Sequence, residues 1–146
     1  MQWCQQLYNT FIEQQRYLML LDGLKNTIII TLGALLIGIV LGTTVAVIKF
    51  LAEEKPALKP LAWLCNVYVT VVRGVPVVVL LLIFYFVILR SADGIVTGIV
   101  AFGINSGAYM AEIVRGGIAA VDGGQTEAAR SLGFNRKEAM RFVVLP

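Results

Sequence analysis

Residues 27–48 read TIIITLGALLIGIVLGTTVAVI, and none of these 22 residues is charged. At 1.5 Å of rise per residue such a run makes about 33 Å of helix, enough to cross a hydrocarbon core of ~30 Å. Lys25 and Lys49 bracket it. Within it Gly38 and Gly42 lie four residues apart. That spacing puts both on one face, where they either admit a second helix at close range or face lipid.

Downstream, the pattern repeats with interruptions. Residues 49–60 hold Lys49, Glu53, Glu54, Lys55, Lys59 and two prolines, which reads as an aqueous loop. Residues 61–89 are apolar except at Arg73-Gly74-Val75-Pro76. Gly suits the end of one helix and Pro the first turn of the next, so a broken unit is expected here. Its halves are about 18 and 20 Å long as helix. They cross the membrane together, or the first half lies in the interface. Arg73 is expected to snorkel to the membrane surface or to bond carbonyls freed near Pro76. A third span is expected over 95–120, rich in glycine (Gly98, Gly103, Gly107, Gly116, Gly117) and therefore suited to tight packing in lipid. The fold class is thus an all-α polytopic membrane helix bundle, since strands would leave unsatisfied edges in lipid. Residues 1–25 form an N-terminal tail. Its stretch 11–21 is either an amphipathic interfacial helix or a frayed extension. Residues 1–10 lack Lys and Arg, so no signal peptide is expected.

Composition agrees. The 146 residues are 58% hydrophobic and only 14% charged, against about a quarter charged in soluble domains. Lipid is the fitting solvent. The net charge of +3 forms no basic stripe interleaved with aromatics, so nucleic acid is not expected as a partner. Histidine is absent, and the cysteines, Cys4 and Cys65, have no metal-site spacing and are read as free thiols. No nucleophile–base pair is visible, which places an enzyme last among the function classes. Two crossings separate the 49–59 loop from the segment after Ala120. Both segments are basic, so the positive-inside rule puts them in the cytoplasm and the N-terminus outside a multi-pass plasma (inner) membrane protein.

Polar residues inside the spans are the candidates for a pathway. Asn105, Ser106 and Tyr109 lie near the middle of the third span and either line a route or bond neighbouring helices. Glu112 shares a face with Asn105 and Tyr109. It reads first as the partner of Arg115 at i+3 and second as a substrate contact.

The segment 121–146 is different in kind. Residues 125–132 are good helix formers and Gly133 is placed to end that helix. Asn135 with Glu138 has capping-box spacing for a second helix. Ala128, Ala129 and Leu132 offer a small apolar face of the sort that slots into a partner's groove.

Glu127-Ala128-Ala129, three residues, Gly133, nine residues, Val143, one residue, then Leu145-Pro146 resembles the EAA signature of ABC importer permeases. Asp22-Gly23-Leu24-Lys25-Asn26-Thr27, Arg73-Gly74-Val75-Pro76 and Ala108-Tyr109-Met110-Ala111-Glu112-Ile113-Val114-Arg115-Gly116-Gly117-Ile118 resemble the polar amino acid subgroup of that family. The resemblance implies a permease subunit of an ATP-driven amino-acid importer. It would form part of the translocation pathway and couple to a separate ABC ATPase through Glu127, Ala128, Ala129, Leu132 and Gly133. It also implies an extracytoplasmic solute-binding protein and a second permease copy or paralogue as partners, besides membrane lipid. No cofactor is expected in this chain, which has neither a G-x-x-x-x-G-K-[ST] nor a G-x-G sequence. Such permeases continue for about two more helices after the leucine–proline, so a truncated or split permease is expected. Two alternatives remain open. An ion-gradient-driven secondary transporter shares broken helices but does not account for the EAA spacing. A non-functional remnant or small assembly factor would account for the short length.

Overall fold

The computed structural model describes Trp3 and residues 16–145, and among them there is no strand. The chain is an all-α bundle. Helix α1, Arg16–Glu54, has 39 residues, or about 58 Å. It runs through both bracketing lysines, because no breaker occurs until Pro56. Residues 11–15 of the expected interfacial stretch lie outside the described residues, and 16–21 are simply the first turns of α1. In lipid a hydroxyl needs an internal partner. Thr27 and Thr44 donate to the carbonyls of Gly23 (2.9 Å) and Val40 (2.7 Å) in their own helix.

A short 3₁₀ turn, Pro56–Leu58, leads into α2, Lys59–Gly74. The break follows from Pro76, which disfavours helical geometry in the residue before it. Val75 is accordingly extended, with φ −94° and ψ 129°. Gly74 itself stays helical. As expected, it is the last residue of the helix, and Pro76 stops any continuation through Val75. Helix α3, Val77–Ile83, continues as a π-helical turn, Phe84–Ile88. The halves meet at 107°. Helix α4, Gly94–Ala119, follows.

The principal contact is between α1 and α4. Their registers rise together: Gly33 lies against Ile99, Gly38 against Ser106 and Gly42 against Met110. The two helices are therefore parallel, and both are long and apolar enough to span a membrane. Whatever α1 and α4 cross, the chain between them must cross back. Two axes at 107° cannot both follow the bilayer normal, so the return through α2 and α3 is oblique. Expectation and structure agree that this is a broken unit; the sharpness of the bend is new.

The close approach rests on missing side chains. A Cβ on Gly42 would lie 2.5 Å from the Met110 Cβ and 2.8 Å from the Gly107 carbonyl oxygen. One on Gly107 would meet Leu41 at 2.7 Å and the Tyr68 hydroxyl at 2.9 Å. Gly38 and Gly42 thus face a helix and not lipid. Gly116 and Gly117 face open space, so the tight packing expected of them is not found.

Small residues fill the rest of the interior: Ala34, Ala46, Ala101, Ala108 and Ala111 are buried, while Leu32, Leu36, Ile39 and Val40 are exposed on α1. This inside-out distribution suits lipid, whose tails give no hydrophobic drive between helices. Helix α2 joins the pair through Cys65 and Val69, packed with Val45 and Ala111, and through Val72, packed with Leu80 and Ala108. The Tyr68 hydroxyl donates to the Ile104 carbonyl at 2.6 Å. Cys65 is a free, buried thiol; Cys4 lies outside the described residues.

Gly42→Ile or Gly107→Ile should separate α1 from α4 and cost about 1–3 kcal/mol, as overpacking does. Thermal unfolding of the detergent-solubilised protein measures it. Gly116→Ala, at an open position, should leave the midpoint within error. Equal midpoints for all three variants would contradict the packing described.

Candidate functional site

Three bases converge on one acid at the end of the bundle. Lys49 Nζ at the end of α1 donates to Glu112 Oε1 at 2.9 Å. Arg115, one turn along α4, donates from Nη2 to Oε2 at 2.9 Å and from Nε at 3.2 Å. Arg73, at the end of α2, lies 3.7 Å from Oε2 and places its guanidinium over the Tyr109 ring, 5.2 Å from the centroid. The Glu112 side chain retains 20% of its exposure. The i+3 partner was visible in the sequence. Lys49, read as a span boundary, and Arg73, read as a surface anchor or a carbonyl ligand, were not identified as its neighbours. Arg73 makes no hydrogen bond to a carbonyl among the described residues. A useful signal was available: one in-span acid set among charges that end each apolar run.

Asn105, Ser106 and Tyr109 line one open surface hollow of about 260 Å³, together with the exposed apolar side chains of Leu35, Ile39 and Ile113. Glu112 is not part of its lining. The four pathway candidates thus divide into a mid-span hollow and an ionic cluster. A larger hollow of about 570 Å³ opens beside Lys49 and Arg115, lined also by Lys59, Trp63 and Asn66. Among the described residues no group of three or more Cys, Asp or Glu is arranged to hold a metal.

The last segment is built by local rules. Helix α5, Gly123–Ser131, begins two residues earlier than predicted, because Asp122 caps it by accepting from the Gly124 N–H at 2.7 Å. It ends in a Schellman arrangement. The Gly133 N–H donates to the Arg130 carbonyl (3.0 Å) and the Phe134 N–H to the Ala129 carbonyl (3.1 Å). Gly133 has φ of +93°, in the left-handed region that is unstrained only for glycine. The capping box forms in both directions. The Asn135 N–H donates to Glu138 Oε2 (2.8 Å), and the Glu138 N–H donates to Asn135 Oδ1 (3.0 Å). This starts α6, Arg136–Ala139, which continues as a π-helical turn, Met140–Val144.

Glu127 and Ala128 are exposed, and Leu132 is 80% exposed. Ala129 is only 4% exposed. The expected apolar face is corrected accordingly. Ala128 and Leu132, four apart, point outward together, while Ala129, a further 100° round the helix, is turned inward.

Glu112→Gln should lower stability by about 1–3 kcal/mol, because it leaves neighbouring cations facing one another without their counter-charge. In a double-mutant cycle with Lys49→Met, measured by thermal unfolding in detergent, the second substitution should cost less in the Glu112→Gln background than alone. Strict additivity would show that the two groups do not interact.

Three comparisons bear on these features. The family model described as binding-protein-dependent transport system inner membrane component matches residues 38–146. The chain is 37% identical over 141 residues to a probable glutamine ABC transporter permease protein, GlnM, of Bacillus subtilis, covering 94% of this chain and 63% of that one. It is 36% identical over 138 residues to the glutamate/aspartate import permease protein GltK of Escherichia coli, covering 87% and 59% respectively. A crystal structure of an amino acid ABC transporter with histidines superposes with a TM-score of 0.77 at 35% identity, over 93% of this chain and 63% of that chain. The chain therefore spans about three fifths of the length of these curated relatives.

Proposed function

The chain belongs to the family of binding-protein-dependent transport system inner membrane components, and on that footing we propose that it is a permease subunit of an ATP-driven importer of α-amino acids. Relatives named for glutamine, glutamate/aspartate and arginine transport support that solute class. The observation that carries the coupling role is the α5–Gly133–α6 corner. It is rigidly capped at both sides of its turn, and it presents Glu127, Ala128 and Leu132 outward. An apolar helical face of this kind fits a groove in a separate ATPase. Closure of the ATPases would move the corner, and α4, joined to it by three residues, would carry the motion into the spans. A solute-binding protein outside and a second permease copy or paralogue complete the working assembly.

Orientation follows from charge. The parallel packing of α1 and α4 puts the turn between α1 and α2 and the α5–α6 corner at one end. That end carries Lys49, Lys55, Lys59, Arg130, Arg136, Lys137 and Arg141, against Arg16, Lys25 and Arg90 at the other. We assign the richer end to the cytoplasm. Reporters inserted at 53–57 and after Arg136 should read cytoplasmic, and one at 91–93 external. Opposite readings from the first two would contradict the parallel packing.

The importer reading is tested in proteoliposomes holding the permease, its ATPase and its binding protein. Uptake of a labelled amino acid should require ATP on the ATPase side and be indifferent to ion gradients. Gly133→Asp should abolish most of this coupling, because an Asp at φ of +93° is strained and charges the corner. Membrane insertion should persist, since the spans are remote from the turn. Normal uptake by Gly133→Asp at matched membrane levels would remove the corner from the mechanism.

A further inference from the structure

We propose that the hollow beside Lys49 and Arg115 holds the headgroup phosphate of an anionic glycerophospholipid, with an acyl chain of that lipid lying along Trp63, Val67 and Val71.

Charge is the first observation. The hollow of about 570 Å³ is lined by three bases, Lys49, Lys59 and Arg115, and by one acid, Glu53. Glu112, outside the lining, accepts from Lys49 and Arg115, and Arg73 stands 3.7 Å from the same carboxylate. Four cations therefore stand against two acids at this end of the bundle. Glu112 fixes Lys49 and Arg115 in position without using all their donors. Arg115 engages it through Nε and Nη2, and its Nη1 makes no hydrogen bond among the described residues. The exposed Lys59 ammonium and Asn66 amide also make no hydrogen bond among the described residues. A phosphodiester, whose charge is shared between its unesterified oxygens, can accept from several such donors at once. Lys49, Lys59 and Arg115 belong to α1, α2 and α4, so one phosphate would tie three helices together.

Depth is the second observation. Lys49 is the first charged residue after the uncharged run 27–48, so the hollow opens where the hydrocarbon ends and the lipid phosphates begin. Trp63, in its lining, is 64% exposed. An indole suits that boundary, with its ring in the apolar zone and its N–H toward water. Much of the remaining wall is small or apolar: Ala46, Ala62, Ile118 and Ala119. Trp63, Val67 and Val71 recur every four residues, share a face of α2, and are all exposed. The cluster that buries Cys65 and Val69 includes Ala111, and the one that buries Val72 includes Ala108. Progress along α2 is thus progress toward the middle of α4, and the exposed strip leads from the hollow into the hydrocarbon. A free anion would use the charges and leave the strip bare, whereas a phospholipid uses both. On the orientation assigned above this is the cytoplasmic leaflet. The site itself requires only that α1 and α4 span a bilayer, and it is independent of the importer reading.

The test uses the full chain carrying Trp3→Phe, which leaves Trp63 as its one indole, in nanodiscs of phosphatidylcholine and phosphatidylglycerol. Bromine on the acyl chains of one lipid at a time quenches Trp63 when that lipid lies against it. Brominated phosphatidylglycerol should quench at mole fractions about 10-fold lower than brominated phosphatidylcholine. Lys59→Gln should reduce this preference about fivefold, as expected for one cation beside an anionic lipid. Lys59→Arg should keep it, and Lys25→Gln, at the other end of α1, should leave it unchanged. Equal quenching by the two lipids, or a preference unaltered by Lys59→Gln, overturns the proposal. So does an equal loss with Lys25→Gln, which would show a diffuse attraction and not a site. Displacement of brominated phosphatidylglycerol by inorganic phosphate, beyond that caused by chloride at the same ionic strength, also overturns it, because the hollow would then take a free anion.

Discussion

Close parallel contact between α1 and α4 governs the rest of this molecule. In lipid, apolar side chains gain nothing by leaving their solvent, so helices adhere where their surfaces fit closely. Gly42 and Gly107 remove the side chains that would hold the backbones apart, and Met110 and Leu41 occupy the resulting notches. Once the two helices lie side by side with the same direction, the intervening chain has to return across them. Their ends also come together, which brings Lys49 to Glu112.

The return limb follows from a second constraint. Pro76 prevents Val75 from continuing the helix, and the chain turns through 107°. The turn leaves Arg73 at the end of α2, directed at the acid and at Tyr109. The most charged part of the bundle thus sits beside its sharpest bend. This coincidence connects the ionic cluster to any motion of the limb.

The α5–α6 corner obeys different physics. Its form is set by bonds between residues at most five apart: the Asp122 cap, the Schellman bonds around Gly133 and the reciprocal capping box. It needs little support from the spans to hold its shape. Its shape is therefore set separately from the packing of the bundle behind it.

Legibility in the sequence divides along this line between local and distant interactions. The helical, lipid-adapted class was plain from 27–48 and from the low charge content, because a bilayer leaves few choices of backbone. The left-handed Gly133 and the Asn135–Glu138 box were equally plain, since each is decided by neighbours along the chain. So was the pairing of Arg115 with Glu112, one turn apart. Only the tertiary structure decided that Gly38 and Gly42 face a helix while Gly116 and Gly117 do not, and that Ala129 turns inward beside an exposed Ala128. It alone brought Lys49 and Arg73, 63 and 39 residues away from Glu112, to the same carboxylate. Periodicity tells which residues share a face of one helix. The register between two helices depends on how their surfaces interlock, and that is settled by shape across the whole contact.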